Sequence, residues 1–278
     1  MNRSLLIGLV LAVAAISAVP MAAPKGMEGI KGIKGMALVP GGTLVLPFRE
    51  DSANIRIKVE AFQLDRHPVT NDEFRSFLKA KPDLARSRIK PLFADPAYLA
   101  DWKGDTTPRE GTGRSPVTQV SWYAAKAYCS HAGKRLPTTA EWEWAAKALP
   151  PGMDSTGLAK TILAWYAKPA GGSSNPGSSH PQASNQIGSG SLNGNGIRDL
   201  FGLVWEWTSD FDAFGFAGMN QRGVAEGAAF CGAGSARATK EAEYAVYMRW
   251  AFRLSLRADY SVGSLGFRCA RNKDEIGK

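Results

Sequence analysis

Residues 199–207 read DLFGLVWEW, and this stretch organises the rest of the chain. In an extended segment Trp205 and Trp207 point to one side and Glu206 to the other, because side chains alternate along a strand. A carboxylate beside large buried rings needs a partner, since burying an unpaired charge is costly. Two arrangements satisfy it. Asp199, seven residues upstream across Gly202, can join it in an oxygen-rich site for a hard cation such as calcium, or Glu206 pairs with an arginine.

Length, composition and charge limit the class of protein. The chain has 278 residues, 44% apolar content and eight tryptophans, which is enough for one large domain with a sizeable core. The formal charge is +9, or +8 without Arg3 (34 − 1 − 25). A basic surplus can indicate nucleic-acid binding, but the Lys and Arg residues are scattered, with no run longer than two. We therefore expect no nucleic-acid partner.

The N-terminus has the features of a secretory signal. Arg3 precedes an uncharged apolar run over residues 5–19, which is typical of a signal peptide over 1–23. The run is shorter than the roughly 20 residues of a membrane span, although an uncleaved N-terminal anchor is the alternative. We expect a periplasmic or secreted protein without a membrane span once the signal is removed.

The remaining chain divides into a linker, a domain and a tail. Gly-Ile-Lys repeats indicate a flexible linker over 24–35, followed by one domain over 36–271 and a tail over 272–278. Helix caps are predicted at Thr70, Ser121, Thr138 and Thr239, the first and third in capping boxes. Short strands surround them, and residues 82–116 and 168–196 have the composition of irregular loops. The pattern predicts an α+β domain with high loop content.

Several longer motifs resemble the formylglycine-generating enzyme (sulfatase-modifying factor) family. The resemblance spans nearly the whole domain, and its motifs occur in the family's order. It implies a C-type-lectin-like α+β fold, rich in irregular loops and supported by calcium. The motifs that carry it lie at residues 68–74, 116–122, 133–146, 202–207 and 265–270.

The resemblance also implies a set of metal ligands. The family's calcium loop corresponds to the Asp199 and Glu206 side chains and the main-chain carbonyls of Gly202 and Val204. The family's Asn after the glycine is Leu203 here. This departure leaves all four oxygen ligands in place, so we expect calcium at this loop.

The three cysteines are assigned by the same resemblance. The family's counterparts of Cys129 and Cys269 form a disulfide, which leaves Cys231 as a free thiol in an oxidising compartment. Formylglycine-generating enzymes bind copper(I) through two cysteines. The first of these corresponds to Cys231 and the second to Ala236. Copper(I) prefers several soft donors, so a lone thiolate disfavours copper binding and Cys-to-formylglycine oxidation unless a methionine such as Met248 or Met219 serves as second donor.

The resemblance is greatest to exported members that lack the copper pair. These include accessory proteins of copper nitrite reductases and a pyoverdine-maturation protein. We therefore expect an accessory or maturation factor for a periplasmic redox enzyme, with a protein or peptide partner. As an enzyme, the chain would use Cys231 as a thiolate in a pocket walled by Trp205; as a non-catalytic module, the same pocket would hold a peptide.

Each of these residues also has a structural interpretation. Cys231 can be a small buried hydrophobe, and Trp205 can fill the core instead of lining a pocket. Glu241 and Glu243 suit helix-dipole stabilisation at a helix start as well as acid or base chemistry. Four arginines are expected to pair with buried carboxylates rather than to clamp a substrate: Arg249, Arg253, Arg257 and Arg268.

Overall fold

The computed structural model describes residues 35–46, 55–166, 186–212 and 241–273. All of them belong to one compact unit, Gly32–Lys278. The predicted signal peptide, the linker up to residue 34 and the predicted cap Thr239 lie outside the described residues. The described part contains helices and small sheets joined by long irregular connections. The predicted α+β class is confirmed.

Seven short strands form the sheets of the described part. β1 (Met36–Val39), β4 (Phe62–Asp65) and β7 (Ala270–Asn272) make an antiparallel sheet in the order β1-β4-β7. β2 (Gly42–Leu46) pairs antiparallel with β3 (Ile55–Val59). β5 (Trp205–Glu206) pairs in parallel with β6 (Leu265–Gly266). The β5–β6 pair joins residues 199–207 to the C-terminal end of the domain.

Five α-helices lie in the described ranges, together with a short 3-10 helix at Pro82–Leu84. Thr70 and Thr138 close capping boxes with Glu73 and Glu141, as predicted. Ser121 accepts a hydrogen bond from the Ala124 amide, which confirms the third cap. The helices are α1 (Asn71–Ala80), α2 (Trp122–His131), α3 (Thr139–Ala146), α4 (Ser155–Tyr166) and α5 (Glu241–Leu254).

Two apolar clusters form the core. The first contains the buried faces of α1 and α2 with residues next to β6, including Phe74, Leu78 and Phe267. The second lies between the β1-β4-β7 sheet, the β2–β3 pair and α3, and includes Leu64 and Trp142. Residues 199–207 contribute to both clusters, because Leu200 packs in the second and Trp207 in the first. The stretch is therefore held by the core on both sides.

No helix within the described ranges is both long enough and apolar enough to cross a membrane. The signal peptide and the periplasmic location rest on residues outside those ranges, and they remain predictions.

At the C-terminal end of the domain, β7 continues to Asn272, one residue past the predicted end of the domain at 271.

Candidate functional site

Glu206 lies at the centre of the candidate site, and it is paired with an arginine. Its side chain and that of Arg268 are both fully buried, with Arg268 Nη2 2.8 Å from Glu206 Oε1. Arg268 Nε donates to both carboxylate oxygens, at 3.0 and 2.8 Å. Trp142 Nε1 donates to Oε2 at 2.7 Å. The sequence left two possible partners for Glu206, a cation or an arginine. In the structure its partner is the arginine Arg268.

Arg268 also binds the main chain around the loop. Its Nη1 donates to the Asp65 carbonyl at 3.0 Å. Its Nη2 donates to the carbonyls of Arg198 and Asp199, both at 3.1 Å. The guanidinium therefore joins β4, the start of the loop and β5 in a single hydrogen-bonded unit. Because a buried guanidinium needs all of these acceptors, the network fixes the loop relative to the sheet.

Asp199 starts the loop in a strained backbone conformation, with a φ of +60°. Its fully buried carboxylate accepts hydrogen bonds from the Gly188 amide at 2.5 Å and the Gly190 amide at 2.6 Å. His67 Nδ1 lies 3.1 Å from Asp199 Oδ2. A Cβ on Gly190 would lie 2.6 Å from Asp199 Oδ1, so only glycine allows this approach. The carboxylate thus orders the segment on its N-terminal side.

The other two predicted calcium ligands are main-chain carbonyls. Within the described part of the chain, the carbonyls of Gly202 and Val204 accept no hydrogen bond. Gly202 is exposed and has a φ of +99°, which turns the chain between the two carboxylates. The set of carboxylate and carbonyl oxygens suits calcium, but Asp199 and Glu206 already accept hydrogen bonds from protein donors. Calcium binding at this loop therefore remains a prediction.

A second buried ionic cluster lies next to the first. Arg249 donates to both oxygens of Glu143, with Nη2 2.7 Å from Oε2, and Arg253 Nη1 is 2.8 Å from Oε1. Burial alone raises the pKa of Glu143, but the charges and hydrogen bonds of Arg249, and then of Arg253, outweigh it, so the net shift is downwards. The Arg253 guanidinium lies 4.7 Å from the Trp142 ring centroid. Trp142 thus contacts both clusters.

Trp205 sits in a stack of aromatic rings. Its ring centroid lies 4.2 Å from that of Phe252 and 5.2 Å from that of Trp165. All three side chains are half-buried, whereas Trp207 is fully buried and donates to the Val120 carbonyl. Trp205 is therefore partly accessible and packs against neighbouring rings, and its role as a pocket wall remains a prediction.

Cys129 and Cys269 form a disulfide with a Cα–Cα distance of 5.6 Å, so the pairing predicted by resemblance is confirmed. It joins α2 to the residue before β7 and closes a separation of 140 residues. Cys231, Ala236 and Met219 lie outside the described residues. Their predicted roles remain predictions. Among the described residues, no group of three or more His, Cys, Asp or Glu side chains is arranged to hold a metal ion.

The arginine prediction is confirmed for three of its four members. Arg249, Arg253 and Arg268 pair with buried carboxylates. Arg257 instead pairs with Asp259, at 2.9 Å, with two thirds of its own side chain exposed.

Sequence reasoning missed two elements of the site. Trp165 belongs to the stack and lies on α4, a helix that was not predicted. The i, i+4, i+7 spacing of Leu158, Ile162 and Trp165 is the sequence signal that indicates this helix. His67 is the second, and its contact with Asp199 has no local sequence signal.

Comparison with known proteins places the chain in a family. The model of the sulfatase-modifying factor enzyme 1-like domain matches residues 24–273, and the chain belongs to this family. Among its relatives are the formylglycine-generating enzyme of Streptomyces coelicolor, 30% identical over 78% of this chain and 80% of that protein, and the inactive C-alpha-formylglycine-generating enzyme 2 of Bos taurus, 29% identical over 84% and 87%. Active and inactive relatives are thus about equally similar.

Solved structures of similar shape include PvdO from Pseudomonas aeruginosa. It matches at a TM-score of 0.49 and 20% identity, over 85% of this chain and 94% of that chain. Treponema denticola variable protein 1 matches at 0.46 and 18%, over 85% and 94%.

Proposed function

We propose that this chain is an exported accessory protein that assists the maturation of a periplasmic redox enzyme of the copper nitrite reductase type. The observation that carries the proposal is the half-buried stack of Trp165, Trp205 and Phe252 on a family domain whose loop is anchored by Glu206 and Arg268. Rigid aromatic surfaces suit protein and peptide recognition, because large apolar contacts form at little cost in side-chain entropy.

The same arrangement supports a binding role over formylglycine chemistry. The second cysteine of the family's copper pair corresponds to Ala236, and inactive relatives resemble this chain as much as active ones do. Under this proposal Trp205 contacts an extended segment of the partner protein. The thiol of Cys231, which lies outside the described residues, is the group that we propose to act on the partner if the chain is an enzyme.

Deletion and complementation test the proposal. Deleting the gene in its source organism should lower the copper content and nitrite reductase activity of periplasmic extracts, and the full chain should restore both. Trp205→Ala should restore them poorly. Tyr244→Ala, which removes an exposed ring from α5 outside the stack, serves as the control and should restore them fully. Unchanged nitrite reductase after deletion contradicts the proposed partner.

The role of Cys231 separates an enzyme from a binding module. Cys231→Ser in the deletion strain should abolish maturation if the thiol acts as a nucleophile or as a copper(I) ligand. Undiminished maturation contradicts thiol chemistry and favours the non-catalytic binding module. Titrating the purified chain with a colorimetric copper(I) competitor tests the oxidase alternative directly, and binding no tighter than the competitor eliminates it.

A further inference from the structure

Three arginines lie around the loop over residues 186–198, and we call them the arginine patch: Arg66, Arg114 and Arg198. The Arg198 amide donates to the Arg66 carbonyl at 2.9 Å. Near the start of the loop, the Ile187 amide donates to the Arg114 carbonyl at 3.1 Å. These main-chain hydrogen bonds therefore bring three arginines that are distant in sequence to one loop.

The arginine patch has no carboxylate partner among the described residues. Arg66 Nη1 donates to the Gly196 carbonyl at 2.6 Å, and Arg198 Nη1 donates to the Gly190 carbonyl at 3.4 Å. In the same part of the chain, the guanidinium of Arg114 makes no hydrogen bond or ion pair. Arg66 and Arg114 are exposed and Arg198 is half-buried. Their charges are therefore available to a binding partner.

Other surface arginines of the domain are neutralised locally. Three of them lie 2.6–3.0 Å from a carboxylate oxygen: Arg75 from Asp72, Arg135 from Glu141, and Arg257 from Asp259. Asp72 approaches Gly113, the residue before Arg114, but its carboxylate pairs with Arg75. The lack of carboxylate partners therefore distinguishes the arginine patch from these other sites.

The sequence around the loop supplies no compensating acid. Residues 155–198 contain no Asp or Glu, whereas they contain two lysines in addition to Arg198. The next carboxylate along the chain, that of Asp199, is fully buried and accepts hydrogen bonds from main-chain amides of the loop. With His67 neutral, the three arginines and this one carboxylate leave a formal charge of +2.

The loop is held in place despite its composition. Residues 186–198 are rich in Gly, Ser and Asn, which is typical of a flexible segment. The Asn193 side-chain oxygen, however, accepts hydrogen bonds from the Asn195 and Ile197 amides, both at 3.0 Å. Its Nδ2 donates to the Ala145 carbonyl of α3 at 2.9 Å. The loop is therefore ordered before any partner binds, which lowers the entropic cost of binding.

The chemistry of the arginine patch favours carboxylates on a protein. A guanidinium binds a carboxylate through two parallel hydrogen bonds, which a lysine cannot do. Proteins that bind single-stranded nucleic acids add aromatic side chains on which the bases stack. Residues 186–198 contain no aromatic residue. The loop therefore has the charge of a nucleic-acid site without its stacking groups.

We propose that the arginine patch binds an acidic segment of a partner protein, in which clustered Asp and Glu side chains pair with the three guanidinium groups. The patch shares no residue with the stack of Trp165, Trp205 and Phe252. It does not depend on the partner being a redox enzyme, so it can hold or fail independently of the proposed function.

Fluorescence anisotropy tests the class of partner. The purified chain is titrated into fluorescein-labelled decaglutamate, decaglutamine or an oligothymidylate of the same charge as decaglutamate. We expect decaglutamate to bind at low ionic strength and to bind more weakly at ~0.15 M salt, where charges are screened over about 8 Å. Decaglutamine should not bind. Tighter binding of the oligothymidylate than of decaglutamate, or no binding of decaglutamate, overturns the proposal.

Arginine variants test the location. Arg114→Gln should weaken decaglutamate binding roughly two- to fivefold, and it removes a guanidinium without contacts in the described part of the chain, so the fold should be kept. The triple variant Arg66→Gln/Arg114→Gln/Arg198→Gln should weaken binding at least ~10-fold. Arg56→Gln removes the same charge as Arg114→Gln from an exposed position on β3 outside the patch and should leave binding unchanged. Equal effects of Arg56→Gln and Arg114→Gln would mean that net charge binds the peptide, which contradicts the assignment.

Discussion

Arg268 Nη2 and Glu206 Oε1 lie 2.8 Å apart, and neither side chain has any access to solvent. The pair connects the loop over 199–207 to the segment between β6 and β7. Taking both charges out of water carries a large desolvation cost, which the mutual attraction and the surrounding hydrogen bonds offset only if the geometry is kept. The pair is therefore a point where a single substitution should unfold the domain or release the loop.

Arg268→Met should lower the free energy of unfolding by ~3–5 kcal/mol, because it leaves the Glu206 carboxylate buried with Trp142 as its remaining described donor. Denaturant unfolding followed by tryptophan fluorescence measures the change. Arg257→Met removes an arginine from an exposed pair with Asp259 and should have little effect.

The double variant Glu206→Leu/Arg268→Met tests which loss destabilises the Arg268→Met variant. The cause is either the isolated charge of Glu206 or the missing main-chain hydrogen bonds of Arg268. The double variant should be more stable than Arg268→Met alone, since no charge then remains buried without its partner. A double variant that is less stable than Arg268→Met would mean that the main-chain bonds of Arg268, and not its ion pair, dominate.

The Cys129–Cys269 disulfide predicts a large effect of reduction. Replacing both cysteines by serine should lower the free energy of unfolding by roughly 4–5 kcal/mol in the chain-entropy model, because the bridge spans 140 residues. Chemical unfolding of the oxidised chain and of the double variant measures it.

Cys231→Ser is the matched control, since it removes the third cysteine of the chain and leaves the bridge intact. It should unfold at the same denaturant concentration as the wild type. Mass spectrometry of unreduced peptides checks the pairing itself, and a peptide that contains Cys231 linked to either partner would contradict it.

Local signals predicted the helices that begin with caps. Thr70, Ser121 and Thr138 each accept a hydrogen bond from the amide three residues ahead, and this needs only neighbouring sequence. α4 was missed although Asp154 accepts a hydrogen bond from the Gly157 amide at its start, because it follows a Pro-Pro-Gly turn at residues 150–152 and no Glu or Gln completes a capping box. Pairing of β1 with β4, and not with β2 across the tight turn, depends on contacts distant in sequence.

The sequence predicted which residues belong to the candidate site better than it predicted which of them are in contact. The residues 199–207 were identified from the sequence, as was the disulfide through the family resemblance. The partner of Glu206 was left open between a cation and an arginine, because Arg268 lies 62 residues away and the spacing gives no register. The contact of His67 with Asp199 spans 132 residues and arises from the tertiary fold alone.

Calcium binding at the Asp199–Glu206 loop predicts a ligand-dependent melting temperature. If the carbonyls of Gly202 and Val204 and the two carboxylates bind calcium, excess chelator should lower the melting temperature, because an ion that binds the folded state stabilises it by mass action. Differential scanning calorimetry with calcium and with chelator measures the shift.

Glu206→Gln should remove that shift, since it takes away one charged ligand. Asp105→Asn removes an exposed carboxylate that binds Ser87 and should keep it. A melting temperature equal in chelator and in calcium would contradict the metal assignment and leave the hydrogen bonds of Asp199 and Glu206 as the complete account of the loop.

Glu143 predicts a specific acid sensitivity. Its folded-state pKa lies below the ordinary 4.5 because Arg249 and Arg253 outweigh the opposing effect of burial. Its stabilising contribution is therefore fully present above pH 4.5 and is lost as the pH falls through the lowered pKa. The difference in free energy of unfolding between wild type and Glu143→Gln should shrink as the pH falls below 4.5, measured by urea unfolding at a series of pH values.

Asp65 should show the opposite trend and serves as the comparison. Burial raises its pKa above the ordinary 3.8, against the opposing charge of Lys134. The folded state then binds the proton more tightly than the unfolded state, so the wild type loses stability relative to Asp65→Asn as the pH rises from 3.8 through the raised pKa. Parallel pH profiles for Glu143→Gln and Asp65→Asn would mean that general charge repulsion, and not these two buried environments, controls acid unfolding.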